Sequence, residues 1–134
     1  MSFYSNFIFS IVEHAVKAAS FSEFPTYKVG AALYSYKEDC IAIGWNKQKT
    51  HPKQKEYAIK EGEPNKQFLH AEIDCLIKRR FTKDPYSMII VRLTKTGYGM
   101  ARPCPICMRA IKEAGIKYIY YTDRRGELVH EYIV

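Results

Sequence analysis

Two short stretches constrain the fold of this chain more than anything else in it: His70-Ala71-Glu72, and Pro103-Cys104-Pro105-Ile106-Cys107. They carry three metal donors and a carboxylate, which act together only if the fold brings distant parts of the chain to one point. Cys104 and Cys107 are spaced i, i+3, so a helix that begins at Cys104 puts both sulfurs on one face of its first turn. Pro105 suits such a start, because the first helical position has no use for a backbone N–H. His70 and Glu72 stand where a second helix opens, running through Ile73, Cys75, Leu76 and Ile77 to about Arg80. Two helix N-termini then face one spot, each with about half a positive charge, which favours thiolate over thiol.

Three protein ligands with a fourth position open is the pattern of a catalytic zinc site rather than a structural one. Glu72, two residues from the histidine, is placed to take a proton from water and pass it on. A closed structural site with Cys75 as fourth ligand is the alternative, but residues 70 and 75 do not share a helical face. A second Cys-x-x-Cys is absent, which weakens a zinc ribbon, and a redox role would leave His-x-Glu unexplained.

These motifs resemble those of the zinc-dependent cytidine and deoxycytidylate deaminases. The resemblance implies an α/β fold, a three-layer sandwich with a mixed sheet of about five strands and helices on both faces. It implies Zn2+ on His70, Cys104 and Cys107, with Glu72 as the catalytic proton carrier in hydrolytic deamination at C4 of a cytosine ring. Lys28-Val29-Gly30-Ala31 and Gly44-Trp45-Asn46 are similar to the family's first and second strands, which places Asn46 on the sugar; the bland reading is that Asn46 merely begins the next loop. Ala71 and Pro103 join Asn46 among the implied substrate-binding positions. Arg102 departs from the pattern, since relatives carry a small residue there, and it could alter specificity or reach a phosphate.

Ser2 suits the N-cap of a helix reaching Ser20, with Ile8, Ile11, Val12, Ala15, Ala18 and Ala19 as its core stripe. His14 beside that stripe reads as a packed or surface residue, and Phe3, Phe7 and Phe9 hint at a subunit interface. Residues 27–34 and 40–45 form a β-hairpin, in which Cys40 is expected as a small buried hydrophobe. Residues 47–69 read as a long polar loop, functional rather than idle, forming one wall of the pocket. In it, Lys47, Lys49 and His51 either bind a substrate phosphate or are solvated.

Residues 87–93 are a continuous apolar run, a strand buried on both faces. Gly97 and Gly99 suggest a mobile or tightly turned lip. The helix from Cys104 repeats apolar residues at 107, 110, 111 and 114 and stops at Gly115, and residues 116–121 are the next strand. The turn at 123–126 has no room for a crossover helix, so a last strand over 128–134 pairs antiparallel with its neighbour. That arrangement is similar to small-nucleoside deaminases and unlike deoxycytidylate and nucleic-acid-editing members.

A chain of 134 residues suits one domain with one core. No basic leader opens it and no stretch reads as a membrane span, so a cytoplasmic setting is expected; there, four cysteines serve as metal ligands and buried thiols. The net charge of +7 favours an anionic partner, nucleotide or nucleic acid. The expected function is deamination of a free cytosine nucleotide, dCMP to dUMP plus ammonia, by a homo-oligomer. One alternative is a nucleic-acid-editing deaminase acting on tRNA adenosine or single-stranded cytosine, since Gly44-Trp45-Asn46 and His70-Ala71-Glu72-Ile73 also look like the tRNA adenosine deaminases. The other is a zinc-stabilised binding domain without chemistry.

Overall fold

A computed structural model describes residues 3–79 and 83–133, with side chains from residue 12 onward in the first helix. In chain order the elements are α1 (Phe3–Ser20), β1 (Lys28–Ser35), β2 (Cys40–Trp45), α2 (Pro52–Lys60), α3 (Ala71–Lys78), β3 (Pro85–Thr94), β4 (Gly97–Gly99), α4 (Pro105–Glu113), β5 (Tyr118–Thr122) and β6 (Leu128–Tyr132). The sheet runs β2-β1-β3-β5-β6, with the short β4 also on β3. Among the described strands, only β3 and β5 pair in parallel, because α4 supplies the crossover between them. The other pairs are antiparallel, β6 included.

The central strands β1 and β3 are apolar without alternation because each face meets a helix layer. Ala32, Tyr34, Ile89 and Val91 pack on Ala15 and Ala19 of α1. Ala31, Leu33, Met88 and Ile90 share the opposite core with Ala71 and Cys75 of α3 and Ile111 of α4. A further cluster, Ala58, Leu69, Ile73, Ile106 and Cys107, joins α2, α3 and α4 behind the metal motifs.

Two glycines set how closely the helices approach. A Cβ on Gly30 would lie 2.1 Å from the Ala15 carbonyl oxygen of α1. On the other face, a Cβ on Gly44 would lie 2.4 Å from the Cys75 amide nitrogen and 2.6 Å from the Ala71 carbonyl oxygen. Both contacts are with helix backbone, so no side-chain rotation relieves them. The hairpin therefore touches α1 and α3 at van der Waals distance only because these positions lack a side chain.

Several expectations are corrected. Residues 47–69 are not one long loop: Pro52 occupies the first turn of α2 and His51 caps it, its Nδ1 accepting from the Lys53 amide at 3.0 Å. Buried Gln54 and Ala58 anchor that helix. Its flanks close on each other, with the Lys47 amide donating to the Leu69 carbonyl at 3.0 Å and the Leu69 amide to the Lys49 carbonyl at 2.9 Å. Cys40 is exposed rather than buried, because it opens the edge strand β2 beside the turn. The helix after His70 ends at Lys78, with Arg79 its extended C-cap. Gly97 makes a tight β3–β4 turn at φ 139°, so the lip is turned. His14 packs on Tyr34, its Nδ1 meeting the tyrosine hydroxyl. The proposed cap at Ser2, the helix limit at Arg80 and the side chains of Phe3, Phe7, Phe9, Ile8 and Ile11 lie outside the described residues. Among those described, no helix is long and apolar enough to cross a membrane.

Gly44→Ala is expected to cost about 2 kcal/mol through overpacking against α3 and to lower metal occupancy, since that helix carries His70 at its start. Chemical unfolding and metal analysis of the purified variant check this; unchanged stability would show that α3 can move away freely.

Candidate metal centre and cavity

Each metal-binding motif sits at the opening of a helix. His70 is the N-cap of α3 and Cys104 the N-cap of α4, both in extended backbone and neither using its side chain to cap. Their donors are therefore free to face each other. Cys107 follows in the first turn of α4. His70 Nδ1 lies 3.2 Å from Cys107 Sγ and 3.6 Å from Cys104 Sγ, and all three donor atoms fall within 4.8 Å of one another. Tetrahedral zinc, with bonds of roughly 2.0 Å to nitrogen and 2.3 Å to sulfur, separates such donors by roughly 3.5 Å. The donor set fits the ion. Cys75, the alternative fourth ligand, is buried on the sheet side with its thiol on the Ala42 carbonyl at 3.4 Å, away from this group.

Support for His70 comes from α2 and β2. Gln54, fully buried, accepts the His70 amide proton on Oε1 at 3.1 Å. Asp74, one turn into α3, accepts the Trp45 amide proton at 3.1 Å and pairs with Lys47 at 2.9 Å and Lys78 at 2.8 Å. Both ammonium groups also lie over the Trp45 ring. This carboxylate is 3% exposed, so losing its cations would leave a buried charge unpaired.

The site is electrostatically asymmetric. A hydrogen bond from Cys107 holds the Cys104 thiol down to about 4, against the cost of burial. Burial pushes the Cys107 thiol well up. Burial likewise raises the Glu72 carboxyl, although His70 nearby opposes it. For His70, burial works against protonation but is outweighed by its bond to Cys104 and the charge of Glu72, which raise it.

Glu72 and His70 lie at the wall of a cavity of about 280 Å³, just below the roughly 300–1,000 Å³ of ligand pockets. Phe24, Tyr27 and Phe68 form an aromatic rim, with the Phe24 and Phe68 ring centroids 6.3 Å apart. Val29, Leu69 and Met100 make the apolar walls. Of the residues expected to bind substrate, Asn46, Ala71 and Arg102 line the cavity. Pro103 is buried beside it. Lys47, Lys49 and His51 do not line it: Lys47 is held by Asp74, Lys49 is exposed elsewhere and His51 caps α2.

Asn46 is 5% exposed and ties three segments together. Its Oδ1 accepts from Ser22 Oγ at 2.6 Å and the Val29 amide at 3.0 Å, while Nδ2 donates to the Tyr27 carbonyl at 2.7 Å. One amide hydrogen is left over. Arg102 pairs bidentately with Glu131, at 2.8 and 3.1 Å, and Tyr121 donates to the same carboxylate at 2.5 Å. The aromatic rim escaped the sequence reading because Phe24 and Phe68 are far apart in the chain and follow no periodic pattern.

The sequence model of the cytidine and deoxycytidylate deaminase zinc-binding region matches residues 6–123. A cytidine deaminase from Burkholderia pseudomallei is similar in structure, with TM-score 0.64 and 20% identity, over 99% of this chain and 94% of that one. The dCMP deaminase of cyanophage S-TIM5, solved with dCMP and dUMP, gives TM-score 0.58 and 23% identity over 92% and 85% of the two chains. At these identities the structural likeness carries the fold alone. No curated protein matches the chain.

His70→Ala and Cys104→Ser are each expected to lose the metal and several kcal/mol of stability with it. Because the Cys107 thiol is held high, metal uptake at pH 7 should release at least one proton, so apparent affinity falls as pH drops. Calorimetry in buffers of different ionisation enthalpy measures that release; uptake without proton release would contradict the charge assignment.

Proposed function

The chain belongs to the zinc-dependent cytidine and deoxycytidylate deaminases, and from that membership we propose that it converts a free cytosine nucleotide, dCMP in the first place, to the uracil nucleotide plus ammonia. The observation that carries this reading is the convergence of His70, Cys104 and Cys107 beside a buried carboxyl in the wall of one small cavity. Zinc bound there supplies the Lewis acidity that lets water act as a nucleophile near neutral pH. Everything else is work for the chain's own side chains.

Phe24, Tyr27 and Phe68 offer a planar base flat surfaces at the rim. Glu72 reaches the cavity with a carboxyl raised by burial, which suits a group that must both accept and return protons. It takes a proton from water, delivers it to N3 of the ring as oxygen adds at C4, and carries a second proton to the departing amine. Water and the cytosine compound are consumed; the uracil compound and ammonia are released. Asn46 is well suited to offer its remaining amide hydrogen to the sugar, with its other positions fixed by the protein.

The choice of a nucleotide is supported by the basic balance of the chain and by the Pro-Cys-Pro-x-Cys form of the second motif. The cyanophage relative solved with dCMP and dUMP makes the monophosphate the natural first substrate to try. The reading also includes a homo-oligomer; the exposed Tyr132 of β6, beside Tyr118, provides aromatic surface for one.

Ammonia release should be measured with the zinc-loaded protein on dCMP, deoxycytidine, cytosine, a cytosine-containing oligonucleotide and a tRNA anticodon hairpin. Turnover of dCMP is expected, with Glu72→Ala keeping zinc and losing about three orders of magnitude in rate. A Glu72→Ala protein as fast as the original would remove that residue from the chemistry. Turnover of the polymers alone would make the protein an editor, and light scattering showing a monomer would remove the oligomer.

A further inference from the structure

We infer that Arg92, stacked behind Tyr27 at the cavity rim, forms a binding subsite for the 5′-phosphate of the substrate, an inference that rests on the nucleotide reading above. Arg92 lies on β3 directly opposite Val29 of β1, and Val29 and Tyr27 both line the cavity. Its guanidinium carbon is 4.3 Å from the centre of the Tyr27 ring. Tyr27 is 48% exposed and lines the cavity, and Arg92, which does not line it, stacks on that ring.

Among the described residues, Arg92 is the one cation with a buried side-chain donor that has no hydrogen-bond partner. Its Nε is buried without a hydrogen-bond partner, and no carboxylate pairs with it among the described residues. Buried polar groups are nearly always bonded, and a cation more than most. The neighbouring cations are already engaged. Arg102 is held on both oxygens of Glu131, Lys47 is on Asp74, and the Lys28 ammonium is on the Ser22 carbonyl at 2.8 Å. A planar guanidinium can pair with a phosphate bidentately, in a way a lysine cannot.

The position of Arg92 is fixed by its surroundings. It is registered against Gly99 of β4, where a Cβ would come within 3.3 Å of the arginine Cδ and 3.5 Å of Nε. Thr122 accepts the Arg92 amide proton at 3.3 Å and donates to the Gly99 carbonyl at 2.6 Å, clamping the two strands. Met100 and Ala101, which follow Gly99, line the cavity on the same side. A side chain threaded between a glycine and an aromatic ring is placed in advance, and little ordering is left to be done on binding.

The test is calorimetric binding of dCMP and deoxycytidine to the zinc-loaded Glu72→Ala protein, in which neither is consumed. The nucleotide should bind at least about tenfold more tightly, as a charge-assisted pair implies. Adding Arg92→Met, which keeps an apolar side chain against Tyr27, should bring the ratio close to one, and Arg92→Lys should restore part of it. An unchanged ratio in Arg92→Met, no preference to begin with, or a preference lost only in Arg102→Met would each overturn the assignment. Ammonia release by the protein with Glu72 intact is scored separately. If it consumes neither compound, the deaminase reading fails while the phosphate subsite still stands or falls on the binding ratio.

Discussion

The contact between β2 and α3 at Gly44 is the constraint on which the site depends. A helix can present its first residue to a metal only if something fixes its start along the axis as well as its distance from the sheet. Gly44 fixes the distance, because the Ala71 carbonyl and the Cys75 amide rest where a Cβ would otherwise be. Asp74 fixes the axial position, taking the Trp45 amide proton from the end of the same strand. Gln54 then holds the His70 amide from the opposite side. The start of α3, and with it the backbone of His70, is thus positioned by β2 and α2 before any ion binds, which spares a metal site part of its reorganisation.

The same arrangement explains why α2 exists. Its sequence is polar, and its buried residues are a glutamine and an alanine rather than an apolar stripe. Helices of nine residues are marginal in isolation. What keeps this one formed is its setting: the antiparallel closure of residues 47–50 on 68–69 ties its ends, Ala58 packs with Leu69 and Ile106, and Glu61 at its C-cap pairs with Arg109 of α4. The segment was read from sequence as a loop because that support is tertiary. Pro52 occupies the one helical turn where proline costs nothing.

Other parts of the fold were legible because their signals are local. The two metal motifs announced their helix starts through His70, Cys104 and Pro105; the twofold apolar run at 87–93 announced a doubly covered strand; and the four-residue turn at 123–126 ruled out a crossover. Cys40 shows the limit of such reasoning. A cysteine in a strand is usually buried, but β2 is an edge strand, and whether a strand lies at an edge is decided by the whole sheet. Arg92 was hidden for a similar reason. It falls within the run 87–93, which reads from sequence as an apolar strand buried on both faces; its significance depends on Tyr27, on whose ring it stacks, and on Gly99, which the sheet register brings to it.

Topology also decides which arginine can meet an anion. Because β6 returns antiparallel after a tight turn, Glu131 is registered beside Ile119 and within reach of both Tyr121 and Arg102. Hydrogen bonds from Arg102 and then Tyr121 hold the Glu131 carboxyl down to about 2. It stays ionised from the acid range upward, and its small stabilising effect, that of a partly exposed pair worth about 1 kcal/mol or less, is present above the ordinary glutamate value and lost only as pH falls toward 2. Throughout the neutral range Arg102 is therefore already neutralised, and a phosphate could claim it only by displacing a carboxylate held by two donors. Arg92 requires no such exchange. The antiparallel last strand thus neutralises the arginine beside the second metal motif and leaves the one on the central strand β3, against Tyr27, without a carboxylate among the described residues.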